Sequence, residues 1–115
     1  MEMSKNTPFR KKGLIESHPY TRYLGKGWQY IYRFPNGYGA SIIPELCLSG
    51  TRFIINEDRF ELAIIKFIPE PELDIILGLA SMEFNICYDT PITDDVIRNL
   101  SVGAINKYLR KIEAL

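Results

Sequence analysis

Two apolar, β-prone runs, residues 28–34 and 38–43, flank the dipeptide Asn36-Gly37. In the first run Trp28, Tyr30, Tyr32 and Phe34 alternate with Gln29, Ile31 and Arg33, the period of two that gives a strand two distinct faces. Asn-Gly meets the φ > 0 requirement of a type I′ loop at little cost, so the pattern predicts an antiparallel hairpin. A two-residue loop sets Phe34 opposite Gly39, Tyr32 opposite Ser41 and Ile31 opposite Ile42, which lays large rings over small partners. Pro44 has no N–H to give to a ladder and is expected to end or edge the second strand.

Downstream, the Ser49-Gly50 turn introduces a short strand at 52–55, and residues 56–58 read as a further turn. Residues 60–68 are apolar on both faces apart from Glu61 and Lys66, the signature of a central strand covered on each side. Residues 83–89 alternate, with Phe84, Ile86 and Tyr88 expected inward and Asn85 and Asp89 outward. Between them, 69–81 fits a helical stripe of Leu73, Ile76, Leu77 and Ala80 as well as a strand of Leu73, Ile75, Leu77 and Leu79. At the C-terminus, Thr93 as N-cap, Asp94 and Asp95 in the first turn and Ile92 stapled to Ile97 predict one helix. Ser101, with Leu100 stapled to Ile105, starts a second, whose apolar stripe is Ile105, Tyr108, Leu109 and Ile112, with Lys107, Arg110 and Lys111 facing water. Residues 1–12 are polar, basic and aperiodic, and 13–27 are irregular. The expected fold is α+β: a small antiparallel β-meander sheet with two short C-terminal helices packed on one face, in a single domain over 13–115 behind a flexible basic arm at 1–12.

At 115 residues and 46% apolar, the chain suits one domain. No apolar run approaches the roughly 18 residues of a bilayer span, and the polar N-terminus lacks a signal-peptide core, so a cytoplasmic setting with no membrane partner is expected. Cys47 and Cys87 then read as reduced packing residues. The net charge of zero hides a partition: over residues 1–34 seven cations oppose two acids, whereas over 57–95 ten acids oppose two cations. Such separation can select a partner when the sum vanishes.

Little in the sequence announces chemistry. His18 is the sole imidazole, and its sequence-local companions, Glu16 and Ser17, are not expected to face it, which argues against a general base. One His and two distant Cys have no metal-ligand spacing. Asp89, Asp94 and Asp95 are oxygen-rich, but the last two already suit a helix start. No catalytic, cofactor-binding or metal site is expected, and no enzyme. Arg10, Lys11, Lys12, Tyr20, Arg22, Tyr23, Lys26, Trp28, Tyr30 and Arg33 interleave cations with aromatics; this suits single-stranded nucleic acid and equally a solvated strand with core aromatics. The acidic segment 57–95 could mimic a phosphate array.

The blocks GKGWQYIYRFPNGYGASII, FELAII, YDTPITDDVI and the closing LRKIEAL resemble a family of small uncharacterised proteins encoded by bacteriophages and prophages, from whose pattern the longer apolar connection at 69–81 departs. The resemblance implies the cytosol of an infected bacterium and a non-catalytic module that binds a host or phage protein, such as an inhibitor of a host defence or regulatory protein. The expected contacts are Arg10, Lys11, Lys12, Tyr20, Arg22, Tyr23, Lys26 and Trp28 at the basic end, and Glu70, Glu72, Leu73, Asp74 and Ile76 in the connection. The alternative is a nucleic-acid-binding accessory protein using the basic aromatic stretch. The sequence leaves the oligomeric state open, a homodimer included.

Overall fold

The computed structural model describes residues 7–19, 27–49, 52–68 and 84–115, with the backbone alone at 46–49 and 52–57. The strands are β1 Leu14–Pro19, β2 Trp28–Arg33, β3 Tyr38–Ser49, β4 Arg52–Phe67, β5 Phe84–Ile86 and β6 Ile97–Leu100, and the chain closes with helix α1, Val102–Glu113. All pairings are antiparallel, in the order β1-β2-β3-β4; β5 and β6 share the far edge of β4, at Ile65–Phe67 and at Phe60 and Leu62 respectively. The protein is therefore mostly β with one C-terminal helix.

The β2–β3 hairpin forms as the alternation predicts, but its register differs by one. Tyr32 faces Ala40, Ile31 faces Ser41 and Tyr30 faces Ile42. The Gly37 N–H donates to the Phe34 carbonyl (3.0 Å) and the Phe34 N–H to the Tyr38 carbonyl (2.8 Å), so Pro35, Asn36 and Gly37 make a three-residue loop. Gly37 alone of the three has positive φ (86°), whereas a type I′ loop requires it at two residues. Pro35 explains the difference: its fixed φ suits the second position of a turn begun at Phe34, with Gly37 left to supply the left-handed residue. Rings still lie over small partners, since Tyr32 covers Ala40. Gly39 admits no side chain, because a Cβ there would lie 1.9 Å from the Tyr32 carbonyl oxygen.

Pro44 does not end its strand. β3 runs on to Ser49, and β4 is one strand from Arg52 rather than two. The expected break survives as a register jump, in which Pro44 pairs with Phe60 but Glu45 pairs with Asn56, leaving residues 57–59 of β4 over. A proline at a bulge withholds no ladder bond.

Alternation sorts β2, β3 and β4 onto two faces. Tyr32, Ala40, Ile42, Leu62 and Ile64 pack with Ile105, Leu109 and Ile112 of α1 in the main core. Ile31, Ile65 and Phe67, with Ile15 and Phe84, form a smaller cluster on the opposite face. The central part of β4 is thus buried on both sides, as its unbroken apolar run requires.

Helix α1 begins where expected: the Ser101 Oγ accepts the Ala104 N–H (3.2 Å), and Ile105, Leu109 and Ile112 are buried. The helix predicted from Thr93 is absent. Thr93 accepts the Asp95 N–H, Thr90 accepts the Thr93 N–H, and Asp95 accepts the Val96 N–H, local bonds that compete with a helical turn. Residues 97–100 instead become β6, with Asn99 at φ 58°. Ile86 and Tyr88, expected inward, are exposed; β5 ends at Ile86, so the strand alternation does not extend to Tyr88.

Part of the expected arm is docked. Phe9 is buried edge-on against Tyr30 and Phe60, at 5.2 and 4.8 Å between centroids. Tyr32 donates its hydroxyl to the Arg10 carbonyl. Residues 1–6, and the connection at 69–81, lie outside the described residues. Among the described residues no helix is long and apolar enough to cross a membrane.

The loop ties sheet to helix through Asn36. Its Oδ1 accepts the Tyr38 N–H (3.0 Å), and its Nδ2 donates to the carbonyls of Ile112 (2.9 Å), Glu113 (3.1 Å) and Leu115 (3.2 Å). Asn36→Ala should cost about 1 to 2 kcal/mol by stranding these groups. Gly37→Val should cost about 1 to 2 kcal/mol through φ alone, since its Cβ would meet nothing within 4 Å, whereas Gly39→Ala should cost about 2 to 3 kcal/mol by collision with β2. Urea denaturation tests the ranking; a Gly39→Ala variant as stable as the wild type would refute the close approach.

Candidate binding surfaces

Of the residues expected to meet a partner, Arg10, Lys11, Lys12 and Trp28 are described; Tyr20, Arg22, Tyr23, Lys26, Glu70, Glu72, Leu73, Asp74 and Ile76 lie outside the described residues. Trp28 is 42% exposed at the start of β2. Arg10, Lys11 and Lys12 join a surface that their own stretch did not reveal. The Arg10 N–H donates to Asn106 Oδ1 (2.7 Å), and the Arg10 and Lys12 side chains reach the Glu113 carboxylate at 3.0 and 2.8 Å. Asn106 and Glu113 are seven residues apart and therefore on one stripe of α1. Arg110 falls on that stripe between them, and Lys107 and Lys111 border it. All three are exposed, as are Lys11 and Lys12. Two of these cations, Arg10 and Lys12, pair with the one acid of this surface, Glu113, whose carboxyl is held below the usual range chiefly by its hydrogen bond from Lys12, with Arg10 adding to the effect, while Lys107, Arg110 and Lys111 continue the surface around the outside of α1. The signal available in the sequence was the basic side of the second amphipathic helix; its union with residues 10–12 depends on a contact across 96 residues.

Opposite signs collect elsewhere. Glu61 lies on the side of Ala63 and Ile65, away from α1, by strand alternation. Its carboxyl is raised above the usual range by burial and by the like charges of Glu45 and Asp95, against the pull of Arg98 at 2.8 Å. Glu45 also accepts the Asn99 N–H (3.0 Å). Among the described residues, cations stand over the helix and this carboxylate cluster across the sheet; the side chains of Lys5, Arg22 and Lys26 of the basic stretch, and of Glu57, Glu70, Glu72, Asp74 and Glu83 of the acidic segment, lie outside the described residues.

The same face carries a polar chain. Glu16 and His18 are two apart on β1 and so share a side, which reverses the expectation that they would not face each other. His18 Nδ1 lies 3.1 Å from Glu16 Oε2, His18 Nε2 lies 2.8 Å from Gln29 Oε1, and Gln29 Nε2 donates to Ser41 Oγ at 3.0 Å. The chain resembles a nucleophile relay in outline, but an amide stands between imidazole and hydroxyl. Gln29 has no basic site to take the Ser41 proton, so this geometry does not activate a nucleophile. Its cross-strand bonds pin β1, β2 and β3 together.

A third surface lies at β5. Ile86 and Tyr88 are 45% and 52% exposed. They border an open groove of about 310 Å³ with Lys66, Phe67, Ile68, Asn85, Cys87 and Asp89. Cys87 is a free, half-buried thiol packed against the main core; it donates to Asp89 Oδ1 (2.9 Å), which raises its pKa above the usual thiol range, with burial adding to the effect. The Cys47 side chain lies outside the description. Among the described residues no three His, Cys, Asp or Glu converge in a metal-binding arrangement. No protein-family model, curated protein or solved structure matches the chain.

The two perturbed carboxylates should respond to pH in opposite senses. Glu113, held low in the fold, adds stability above the ordinary carboxyl pKa and loses it as pH falls through its folded value. Glu61, held high, favours the fold when protonated and loses that contribution as pH rises through its folded value. Glu113→Gln should therefore be less stable than wild type at neutral pH, and Glu61→Gln more stable, with both differences shrinking on acidification. Urea titrations across pH 3 to 7 test this; parallel profiles for all three proteins would overturn the assignment.

Proposed function

We propose that the protein is a non-catalytic protein-binding module that acts by occluding its partner. The observation that carries this reading is the adjoining pair Ile86 and Tyr88, exposed beside the groove at β5. Single exposed apolar residues are ordinary, but an aliphatic and an aromatic side chain side by side at a groove rimmed by Lys66 and Asp89 have the composition of a small protein-binding patch. Among the described residues β5 has a strand partner on one side only, so its outer backbone groups suit strand addition by an extended segment. In the setting implied by the resemblance to small phage proteins, a bacterial cytosol, the partner is a host protein and its occlusion inhibits a defence or regulatory step.

The alternative use of the basic aromatic stretch as a stacking platform for single-stranded nucleic acid has less support. Of its rings, Tyr20 and Tyr23 lie outside the described residues and Trp28 is exposed, but Tyr30 packs against the core and meets Phe9, so it is not free to stack on bases.

The test is capture of partners from bacterial lysate by the tagged protein, with nuclease present. A specific protein should be retained by the wild type and lost, by at least tenfold, on Ile86→Asp/Tyr88→Asp, with thermal unfolding unchanged. His18→Ala should retain it. Equal capture by the β5 double variant would remove the groove from the interface, and loss confined to His18→Ala would bring chemistry at the Glu16–His18 pair back into consideration.

A further inference from the structure

We propose that the docked residues 10–12 and the outer stripe of α1 form a second binding surface, for the phosphate backbone of duplex nucleic acid, without reading its sequence. The inference is independent of the groove at β5. Five exposed cations, Lys11, Lys12, Lys107, Arg110 and Lys111, come from two segments that nothing in the sequence links. The structure joins them by the Arg10–Asn106 bond and by the pairs that Arg10 and Lys12 make with Glu113. Lys12 keeps 70% of its side chain exposed even while paired, so it remains available to a ligand. Within this surface the cations exceed their acid, Glu113, sixfold, counting Arg10. That excess is more than helix-end electrostatics require, because one or two basic residues in the last turn already answer the dipole.

The chemistry of the patch selects among anions. From Lys107 to Lys111 the helix rises about 6 Å, and from Asn106 to Glu113 about 10 Å, so the charges form a compact field rather than a point. Duplex nucleic acid presents one phosphate charge per about 1.7 Å of axis, which is a field of matching density. Among the described residues no fully exposed ring accompanies these cations: Phe9 is buried, and Tyr108 is half-buried with the Lys111 Nζ 5.4 Å from its ring centroid. Base stacking is therefore not offered, and contact is limited to phosphates, which carry affinity but not sequence. A duplex needs no stacking surface, whereas a single strand commonly uses one.

Counterion release makes the proposal quantitative. If five cations each neutralise one phosphate, the logarithm of the affinity should fall with the logarithm of salt concentration at a slope of about −4.5. The experiment is fluorescence anisotropy of the full chain with labelled DNA duplexes of about 20 base pairs and two unrelated sequences, between about 50 and 200 mM salt. Both duplexes should bind alike with that slope. The triple variant Lys107→Gln/Arg110→Gln/Lys111→Gln should bind more weakly with a slope shallower by about 3, while its thermal unfolding shows the fold intact. Ile86→Asp/Tyr88→Asp should leave both affinity and slope unchanged, so this surface and the groove fail or stand separately. The proposal is overturned by absence of duplex binding at the lowest salt, by a triple variant that keeps the wild-type slope, or by a poly-glutamate peptide that competes better than unlabelled duplex, which would make the partner an acidic protein.

Discussion

The arrangement turns on one side-chain amide. Asn36 sits in a hairpin loop, where its oxygen takes the Tyr38 N–H and so shapes the turn, while its nitrogen donates to carbonyls at the end of α1. A helix end offers acceptors that must find donors, and a loop apex offers a side chain without a cross-strand neighbour. Joining them makes each answer the other's need. The bond also sets where the helix ends over the sheet, which fixes how Ile105, Leu109 and Ile112 meet Tyr32, Ile42 and Leu62. With the buried face of α1 committed, its remaining stripe must point outward, and the docked residues 10–12 are held beside it through Asn106 and Glu113. The basic surface is thus a consequence of how the core is closed.

What the sequence could reveal follows from the range of each interaction. The β2–β3 hairpin, the Ser101 cap and the stripe of α1 are local, depending on residues within a few positions, and all three are legible. The hairpin register is not, because Pro35, whose ring carries the turn one residue earlier, overrides the loop that Asn36-Gly37 alone implies. Residues 93–100 failed for a related reason: Thr93, Asp94 and Asp95 satisfy a helix start and a run of local turns equally well. The free edge of β4 then decides for a strand, and that edge belongs to residues more than thirty positions away. The Glu16–His18 contact is hidden by the irregular composition of residues 13–27; in the extended β1, residues two apart necessarily share a side. The basic face required a contact that no pattern within either segment encodes.

The fold also limits where function can reside. Both faces of the central strands are occupied, one by α1 and one by the Ile31, Ile65 and Phe67 cluster, and Gly39 holds β2 and β3 so close that a methyl group has no room. Such a middle is filled by packed side chains, so the groups the fold offers to other molecules lie at its margins. The polar chain from Glu16 to Ser41 illustrates this: its members are within hydrogen-bonding distance of each other in sequence, yet an amide stands where a proton acceptor would be needed. Both proposed recognition surfaces lie at the periphery, at the short β5 edge and over the outside of the helix.

Polarity across the sheet gives those peripheral surfaces separate identities. The cations of α1 and residues 10–12 stand on one side, and the Glu45, Glu61 and Asp95 group stands on the other, where burial, with Glu45 and Asp95 adding to it, disfavours the ionisation of Glu61. A helix layer over a sheet separates such groups by about 10 Å, whereas the Debye length at physiological ionic strength is about 8 Å. At that ratio the two fields do not cancel in solution even though the formal charges sum to zero. An anionic partner approaching the helix side meets attraction before it senses the acids behind the sheet, and the same partner approaching from the other side is turned away. On the proposed helix-side surface, orientation would be selected during encounter, before any apolar contact forms, and a chain with no net charge can still bind with the salt dependence of a cationic one.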